Sequence, residues 1–128
     1  MSRKQALKGL VKPIESAEDF QKWVDQSDHI LVVIDVHKKW CGRCEVMQPT
    51  FERLFLDNDE ADKRVKFLSL DDSVLSDEQK EALPLHEGCK PLFLVYKHKV
   101  IIGKVQGVNA PEIVTLVNEN IFPLPDEE

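Results

Sequence analysis

The side chains with the clearest chemical potential lie in one stretch, Trp-Cys-Gly-Arg-Cys at residues 40–44. Cys41 and Cys44 can interconvert between a dithiol and a disulfide. An apolar run at residues 30–36 precedes them and apolar residues at helical spacing follow, so we expect a strand-to-helix junction here. Unsatisfied backbone N–H groups and the helix dipole favour an anion at such a junction. They should lower the thiol pKa of Cys41 and supply the thiolate that attacks disulfides.

The spacing of the two cysteines suggests separate roles. Cys41 is expected to attack a partner disulfide, and Cys44, one helical turn later, to resolve the mixed disulfide. An alternative is half of a zinc site, but only Cys89 remains as a further cysteine, and completion would require His37 or His86. The histidines show no ligand spacing, so no metal and no cofactor are predicted. A purely structural dithiol is the third interpretation.

Composition and charge exclude several classes of function. The chain has 128 residues, a net charge of −6 and a pI of about 5.2, which argues against nucleic-acid binding. No apolar segment approaches the ~20 residues needed to cross a membrane, and no secretory signal is evident. Three cysteines give no even disulfide framework, so we expect a cytoplasmic, reducing location. We predict one domain over residues 1–128, with flexible ends at 1–9 and 122–128.

Apolar spacing and capping residues predict the elements that position the cysteines. The first half should contain a short strand near residues 10–14 broken at Pro13, a helix at 17–26 capped by Ser16, and a buried strand at 30–36. A helix from Cys41 to Asn58 should then be kinked by Pro49 inside it.

The second half should contain a strand at residues 65–70 and a short helix capped by Ser73 or Ser76. A hairpin at 91–96 and 100–105 and a final helix capped by Asn109 should follow, although the hairpin turn lacks the Asn-Gly pair that favours such turns. Helices alternating with buried strands imply an α/β fold whose central sheet is covered on both faces, and the closing hairpin makes this sheet mixed.

This order of elements, with Trp-Cys-Gly-Arg-Cys after the second strand, resembles the thioredoxin family over nearly the whole chain. Four further features match the family pattern: Asp35 ends the strand before the cysteines, Pro49 lies five residues after Cys44, Pro91 opens the fourth strand, and Gly107 follows the fifth. The resemblance implies a thioredoxin fold and thiol–disulfide exchange with protein disulfide substrates. It also implies thioredoxin reductase as a partner.

The resemblance implies roles around the dithiol. Burial should raise the pKa of Asp35, which would accept the proton of Cys44 during resolution; the alternative is an ordinary strand-end aspartate that caps a turn. Pro91 would follow a cis peptide bond that turns the backbone of Lys90 toward the dithiol, where a trans proline is the alternative.

The remaining assigned residues would contact the substrate. Trp40 would shield the sulfurs and touch the partner; the alternative is that it only packs in the core. Gly42 and Arg43 would also contact the partner. Gly107 would allow a substrate backbone to approach, although it can equally be a strand-end glycine.

Arg43 departs from the proline that the common family sequence has at this position. Its positive charge should lower the thiol pKa of Cys41 further and make the disulfide more oxidising. Lys38 and Lys39 would extend a basic rim.

Cys89 is a second departure, interpreted either as a third redox thiol or as a small buried residue. Glu45 and Phe67 stand where many family members carry lysine, which favours a specialised role over general reductase activity.

Local residues also suggest a narrower relationship. Trp-Cys-Gly-Arg-Cys, Phe-Glu-Arg-Leu-Phe at 51–55 and Gly-Cys-Lys-Pro at 88–91 resemble the thioredoxin-type light chains of ciliary outer-arm dynein. The alternative function is therefore a redox-sensing or structural subunit of a ciliary motor. It would bind dynein heavy or intermediate chains in the cilium or axoneme. Fold alone does not decide between the two functions.

Overall fold

The computed structural model describes residues 9–38, 46–83 and 91–124, which contain one five-stranded sheet with the order β1-β3-β2-β4-β5. The strands β1, β3 and β2 are parallel, whereas β4 runs antiparallel to both β2 and β5. This confirms the mixed sheet expected for an α/β fold. The strands are β1 Val11–Pro13, β2 Leu31–His37, β3 Val65–Asp71, β4 Leu92–Lys97 and β5 Val100–Gln106.

Within the described residues, four α-helices alternate with these strands in the predicted order. They are α1 Ala17–Gln26, α2 Gln48–Asp57, α3 Asp77–Ala82 and α4 Ala110–Asn120. Two 3₁₀ turns, Ala61–Lys63 and Asp72–Val74, were not predicted. In the described parts of the chain, no helix is long and apolar enough to cross a membrane.

Side-chain caps begin three of the helices, as predicted. The hydroxyl of Ser16 accepts the N–H of the residue three positions later at 3.0 Å, and the amide oxygen of Asn109 does the same at 3.2 Å. Of the two serines considered for α3, Ser76 is the cap, and it forms a reciprocal capping box with Gln79. Each cap satisfies a backbone donor that has no acceptor within the helix, which fixes where the helix begins.

The helix after the cysteines differs from the prediction. Its described part begins at Gln48, and Pro49 lies in its first turn rather than in its interior. A proline at this position removes only an N–H that has no intrahelical acceptor, so Pro49 is compatible with the described helix. Residues 41–45 of the predicted helix lie outside the described ranges, so the kink stays a prediction. Val46 and Met47 form a turn before the helix.

Apolar side chains form a core on each face of the sheet. On one face, α2 and α4 pack over the sheet, and Phe51 stacks on Phe67 with ring centres 4.8 Å apart. On the other face, Phe20 and Val24 of α1 pack against the sheet, and Phe20 meets Tyr96 edge-on at 6.2 Å. The sheet is therefore covered on both faces, as the alternating elements predicted.

The β4–β5 hairpin closes through two residues with positive φ, His98 at 54° and Lys99 at 67°. The buried Ser27, which follows α1, accepts hydrogen bonds from the backbone N–H groups of the turn. Its carbonyl oxygen accepts the N–H of His98 and its hydroxyl oxygen accepts the N–H of Lys99, both at 2.8 Å. The Ser27 hydroxyl in turn donates to the carbonyl oxygen of Val24 at 2.5 Å. This contact allows the turn to form without the usual Asn-Gly pair.

Candidate functional site

Asp35 is a buried carboxylate near the carboxyl end of the central strand β2, with only 1% of its surface exposed. It pairs in register with Ser69 of β3 and Phe93 of β4. Because side chains alternate along a strand, Asp35 lies on the same face as Val33, which packs under α2 and α4. The role of Asp35, as proton acceptor or as a strand-end aspartate that caps a turn, stays a prediction, and its side chain lies in the core.

The structure brings Pro91 and Gly107 to the same end of the sheet as Asp35. Val36 pairs with Leu92, so the start of β4 lies beside the carboxyl end of β2. The N–H of Gly107 donates to the carbonyl oxygen of Pro91 at 2.7 Å, which holds the chain after β5 next to the chain before β4. Gly107 has φ 84°, a conformation that residues with a Cβ rarely adopt. Three of the predicted site residues therefore converge where the cysteine segment begins.

An ion pair at this edge was not predicted. The ammonium group of Lys38 lies 2.6 Å from a carboxylate oxygen of Asp72, and the two side chains are only 20% and 14% exposed. Lys38 was expected to add to a basic rim, but Asp72 offsets its charge. Asp72 directly follows β3, which runs parallel to β2, so the carboxyl ends of the two strands meet and bring Lys38 and Asp72 together.

Two apolar side chains in neighbouring segments of the chain are exposed. Val46, 67% exposed, follows the cysteine segment directly, and Val108, 50% exposed, follows Gly107. The neighbouring Met47 is almost fully buried and anchors the start of α2. The edge that holds Pro91 and Gly107 thus combines a fixed backbone with apolar surface, which is suited to contact with another polypeptide.

Residues 11–119 match the sequence profile of the family described as Thioredoxin. The chain belongs to the thioredoxin family. It is 33% identical to human thioredoxin over 110 residues, which cover 86% of this chain and 98% of that protein. The crystal structure of thioredoxin NaTrxh from Nicotiana alata shares the fold, with a TM-score of 0.66 at 23% identity, covering 88% of this chain and 94% of that one.

Other thioredoxin-family relatives are longer than the matched region. The 14 kDa light chain of the flagellar outer-arm dynein of Chlamydomonas reinhardtii is 37% identical over 90 residues, which are 70% of this chain and 64% of that protein. Human thioredoxin domain-containing protein 3 is 39% identical over 98 residues, which are 77% of this chain and 15% of that protein. The chain thus spans slightly under two thirds of the dynein light chain and a small part of thioredoxin domain-containing protein 3.

One departure from the thioredoxin pattern is visible in the core beside Asp35. Phe67, at the position where many family members carry lysine, is buried on the same face as Asp35 and stacks on Phe51. Phe51 also meets the ring of Phe93 edge-on at 6.1 Å, and Phe93 pairs with Asp35 across the sheet. The surroundings of Asp35 on this face are therefore more aromatic than the family pattern implies.

The other predicted site residues lie outside the described ranges. These are Trp40, Cys41, Gly42, Arg43, Cys44, Cys89 and Lys90. The peptide bond before Pro91 includes Lys90, so the cis proline stays a prediction. Within the described ranges, no group of three or more metal-binding side chains comes together.

Proposed function

We propose that this thioredoxin-family chain performs thiol–disulfide exchange through Cys41 and Cys44. The observation that carries the proposal is Asp35, a carboxylate that is 1% exposed on the strand leading to the cysteine segment. Aspartate is seldom fully buried, and a carboxyl group in the core next to reactive side chains is a candidate for proton transfer. The convergence of Pro91 and Gly107 at the same edge supports this assignment.

The reaction proceeds in two exchanges. The Cys41 thiolate attacks one sulfur of a partner disulfide, the partner S–S bond breaks, and the second partner sulfur leaves as a thiolate that takes a proton from water. Cys44 then gives its proton to Asp35, directly or through a water molecule, and attacks the sulfur of Cys41. The first partner sulfur leaves, and its thiolate is protonated in turn. Two electrons pass to the partner, which becomes a dithiol, while Cys41 and Cys44 form a disulfide.

A protein substrate fits the surroundings of the site better than a small molecule does. Gly107 has no side chain to obstruct a backbone, and its position beside Pro91 is fixed by a hydrogen bond. Val46 and Val108 supply exposed apolar contacts of the kind that polypeptide interfaces bury.

Reduction of insulin disulfides with dithiothreitol as electron donor tests the proposal. The wild-type chain should accelerate the reaction, whereas the double variant Cys41→Ser/Cys44→Ser, which keeps Cys89, should match the rate without protein. The single variant Cys44→Ser should accumulate a mixed disulfide with the substrate, visible by mass spectrometry. A wild-type rate equal to that of the double variant would refute the proposed exchange.

A second candidate function is a subunit of a ciliary outer-arm dynein. The similarity to the Chlamydomonas flagellar outer-arm light chain favours it, and heavy or intermediate chains of dynein would be the partners. A tagged chain expressed in ciliated cells should then sediment with outer-arm dynein extracted from axonemes. If it stays in the cytoplasmic fraction, the second candidate is wrong. Incorporation of the Cys41→Ser/Cys44→Ser variant would show that assembly needs no dithiol.

A further inference from the structure

Three lysines converge around a partly buried tryptophan on the α1 face of the sheet. The ammonium groups of Lys22 and Lys66 lie 5.1 and 5.3 Å from the centre of the Trp23 ring. Lys12 is exposed and lies close enough to Lys66 for their side chains to interact. We call Lys12, Lys22, Trp23 and Lys66 the lysine–tryptophan surface.

Three different elements build this surface. Lys12 belongs to the edge strand β1 and pairs in register with Leu68 of β3. Lys66 lies two residues before Leu68 and therefore points to the same face of the sheet. The helix α1 packs on this face through Phe20 and places Trp23 beside the two strands. Asp35 lies on the opposite face.

The positive charge of the surface is not balanced locally. Within residues 9–38, 46–83 and 91–124, no carboxylate lies within ion-pair distance of Lys12 or Lys66. Lys22 has only Asp19, at 3.9 Å. This is notable because the whole protein carries a net charge of −6.

The crowding has an electrostatic cost in the free protein. Burial, followed by repulsion from Lys12 and Lys22, holds the pKa of Lys66 below its usual value. An anionic group seated among the three lysines would remove this repulsion, and the tryptophan ring would supply apolar contact area beside it. Tryptophan and cationic side chains together are typical of the energetically important part of a protein interface.

We propose that the lysine–tryptophan surface binds an acidic segment of a protein partner. Charge complementarity selects the occupant: its carboxylates would pair with Lys12 and Lys66, and an apolar side chain would lie on Trp23. The negative charge of the rest of the protein would repel a long polyanion such as a nucleic acid, but a short acidic segment can avoid it. A partner held here would contact the face of the sheet opposite to the one on which Asp35 lies. The proposal is independent of the dithiol chemistry.

Titration with a synthetic peptide tests the proposal. The probe is a short peptide of glutamate and aspartate residues around one leucine, added to the nitrogen-15-labelled full chain with its thiols blocked by iodoacetamide. The indole N–H signal of Trp23, assigned with a Trp40→Phe variant, should shift, and the binding should weaken as salt is added. The same peptide with glutamine and asparagine in place of the acids should cause no shift.

Charge removal at the surface provides the decisive comparison. The variant Lys12→Gln/Lys66→Gln should weaken peptide binding by about fivefold or more, because two charge pairs are lost. The variant Lys80→Gln/Lys104→Gln changes the net charge equally at two exposed lysines elsewhere, and it should bind within about twofold of wild type. A Lys66→Met variant removes the charge but keeps an unbranched apolar side chain beside Trp23. Weaker peptide binding by this variant would therefore report the lost charge rather than a loss of folding.

Several results would overturn the proposal. Equal weakening in both double variants would mean that the peptide senses only net charge, and unchanged binding by Lys66→Met would mean that its charge has no role. Tighter binding of a single-stranded oligonucleotide of the same charge would assign the surface to nucleic acid. Self-association of the free chain that the Lys12→Gln/Lys66→Gln variant abolishes would assign it to a second copy.

Discussion

At the scale of single residues, the fold has to bury the carboxyl group of Asp35. Its carboxyl group is almost fully buried beside Phe93, in a core whose other side chains are largely apolar. Its position on the strand that leads to the cysteine segment is a reason to connect it with proton transfer during the resolving step.

Replacement of this carboxyl by an amide of the same shape should separate chemistry from packing. Asp35→Asn should slow the attack of Cys44 on the mixed disulfide by at least about tenfold, because no carboxylate then accepts the thiol proton. Stopped-flow measurement of the release of a chromogenic thiol from the mixed disulfide follows this step, and urea unfolding checks that the variant is folded. A folded variant with an unchanged release rate would contradict the assigned role.

Arg43 allows a second prediction at the residue scale. Arg43→Pro removes a positive charge between the two cysteines, so the thiolate form becomes less favourable and the reduction potential should fall. Equilibration with glutathione redox buffers, analysed by thiol alkylation, measures the change. An unchanged or higher potential in the variant would refute the electrostatic explanation.

The site was only partly predictable at this scale. Asp35 was identified because it ends an apolar run just before the cysteine pair, and the structure places it in the core. The Lys38–Asp72 ion pair was missed because it joins residues far apart in the sequence, and it becomes visible only once β2 and β3 are known to be parallel neighbours.

At the scale of elements, short-range signals were reliable and long-range ones were not. Ser16, Ser76 and Asn109 cap helices as predicted, because each cap involves residues only three positions apart. The hairpin and its tight turn around residues 97–99 were predicted, but the geometry of the turn was not, since His98 and Lys99 are not the Asn-Gly pair typical of such turns. Their conformation depends on Ser27, which no local pattern connects with the hairpin.

The Ser27 contact should therefore contribute to stability. Ser27→Ala removes the acceptor of the Lys99 N–H at a fully buried position and should lower the free energy of unfolding by about 1 to 3 kcal/mol. Urea unfolding followed by circular dichroism measures the loss. The matched variant Ser73→Ala, at an exposed serine, should change the stability by less than about 0.5 kcal/mol. Equal losses in both variants would mean that the hairpin does not depend on Ser27.

At the scale of the whole molecule, the core between α1 and the sheet contains a titratable side chain, that of Tyr96. Tyr96 is the sole tyrosine of the sequence, it lies in β4 under α1, and burial raises its pKa from 10.0 to about 12. Its neutral form is thus favoured in the folded state. The resulting stability is fully present below pH 10 and is lost as the pH rises from about 10 to 12.

Tyr96→Phe should make the protein less sensitive to alkali. Between pH 8 and pH 11 the wild type should lose about 1 to 1.5 kcal/mol of stability through this group, because pH 11 lies halfway between its unfolded and folded pKa values, and the phenylalanine variant should not lose it. Urea unfolding of both proteins at pH 8 and pH 11, with reductant present, gives the comparison, and ultraviolet absorbance of tyrosinate reports the titration of Tyr96 alone. Parallel losses in the two proteins would show that other groups control alkaline unfolding.

The strand order also has a consequence for synthesis on the ribosome. The central strand β2 pairs with β3 on one side and with β4 on the other, and β4 is made only after residue 91. Until then, one edge of the apolar strand β2 is unpaired in the nascent chain. The Ser27 hydroxyl oxygen also lacks the N–H of Lys99, from which it accepts a hydrogen bond in the folded protein. Unpaired edges of this kind are prone to aggregation, so a nascent chain that ends before β4 should aggregate more readily than the full chain.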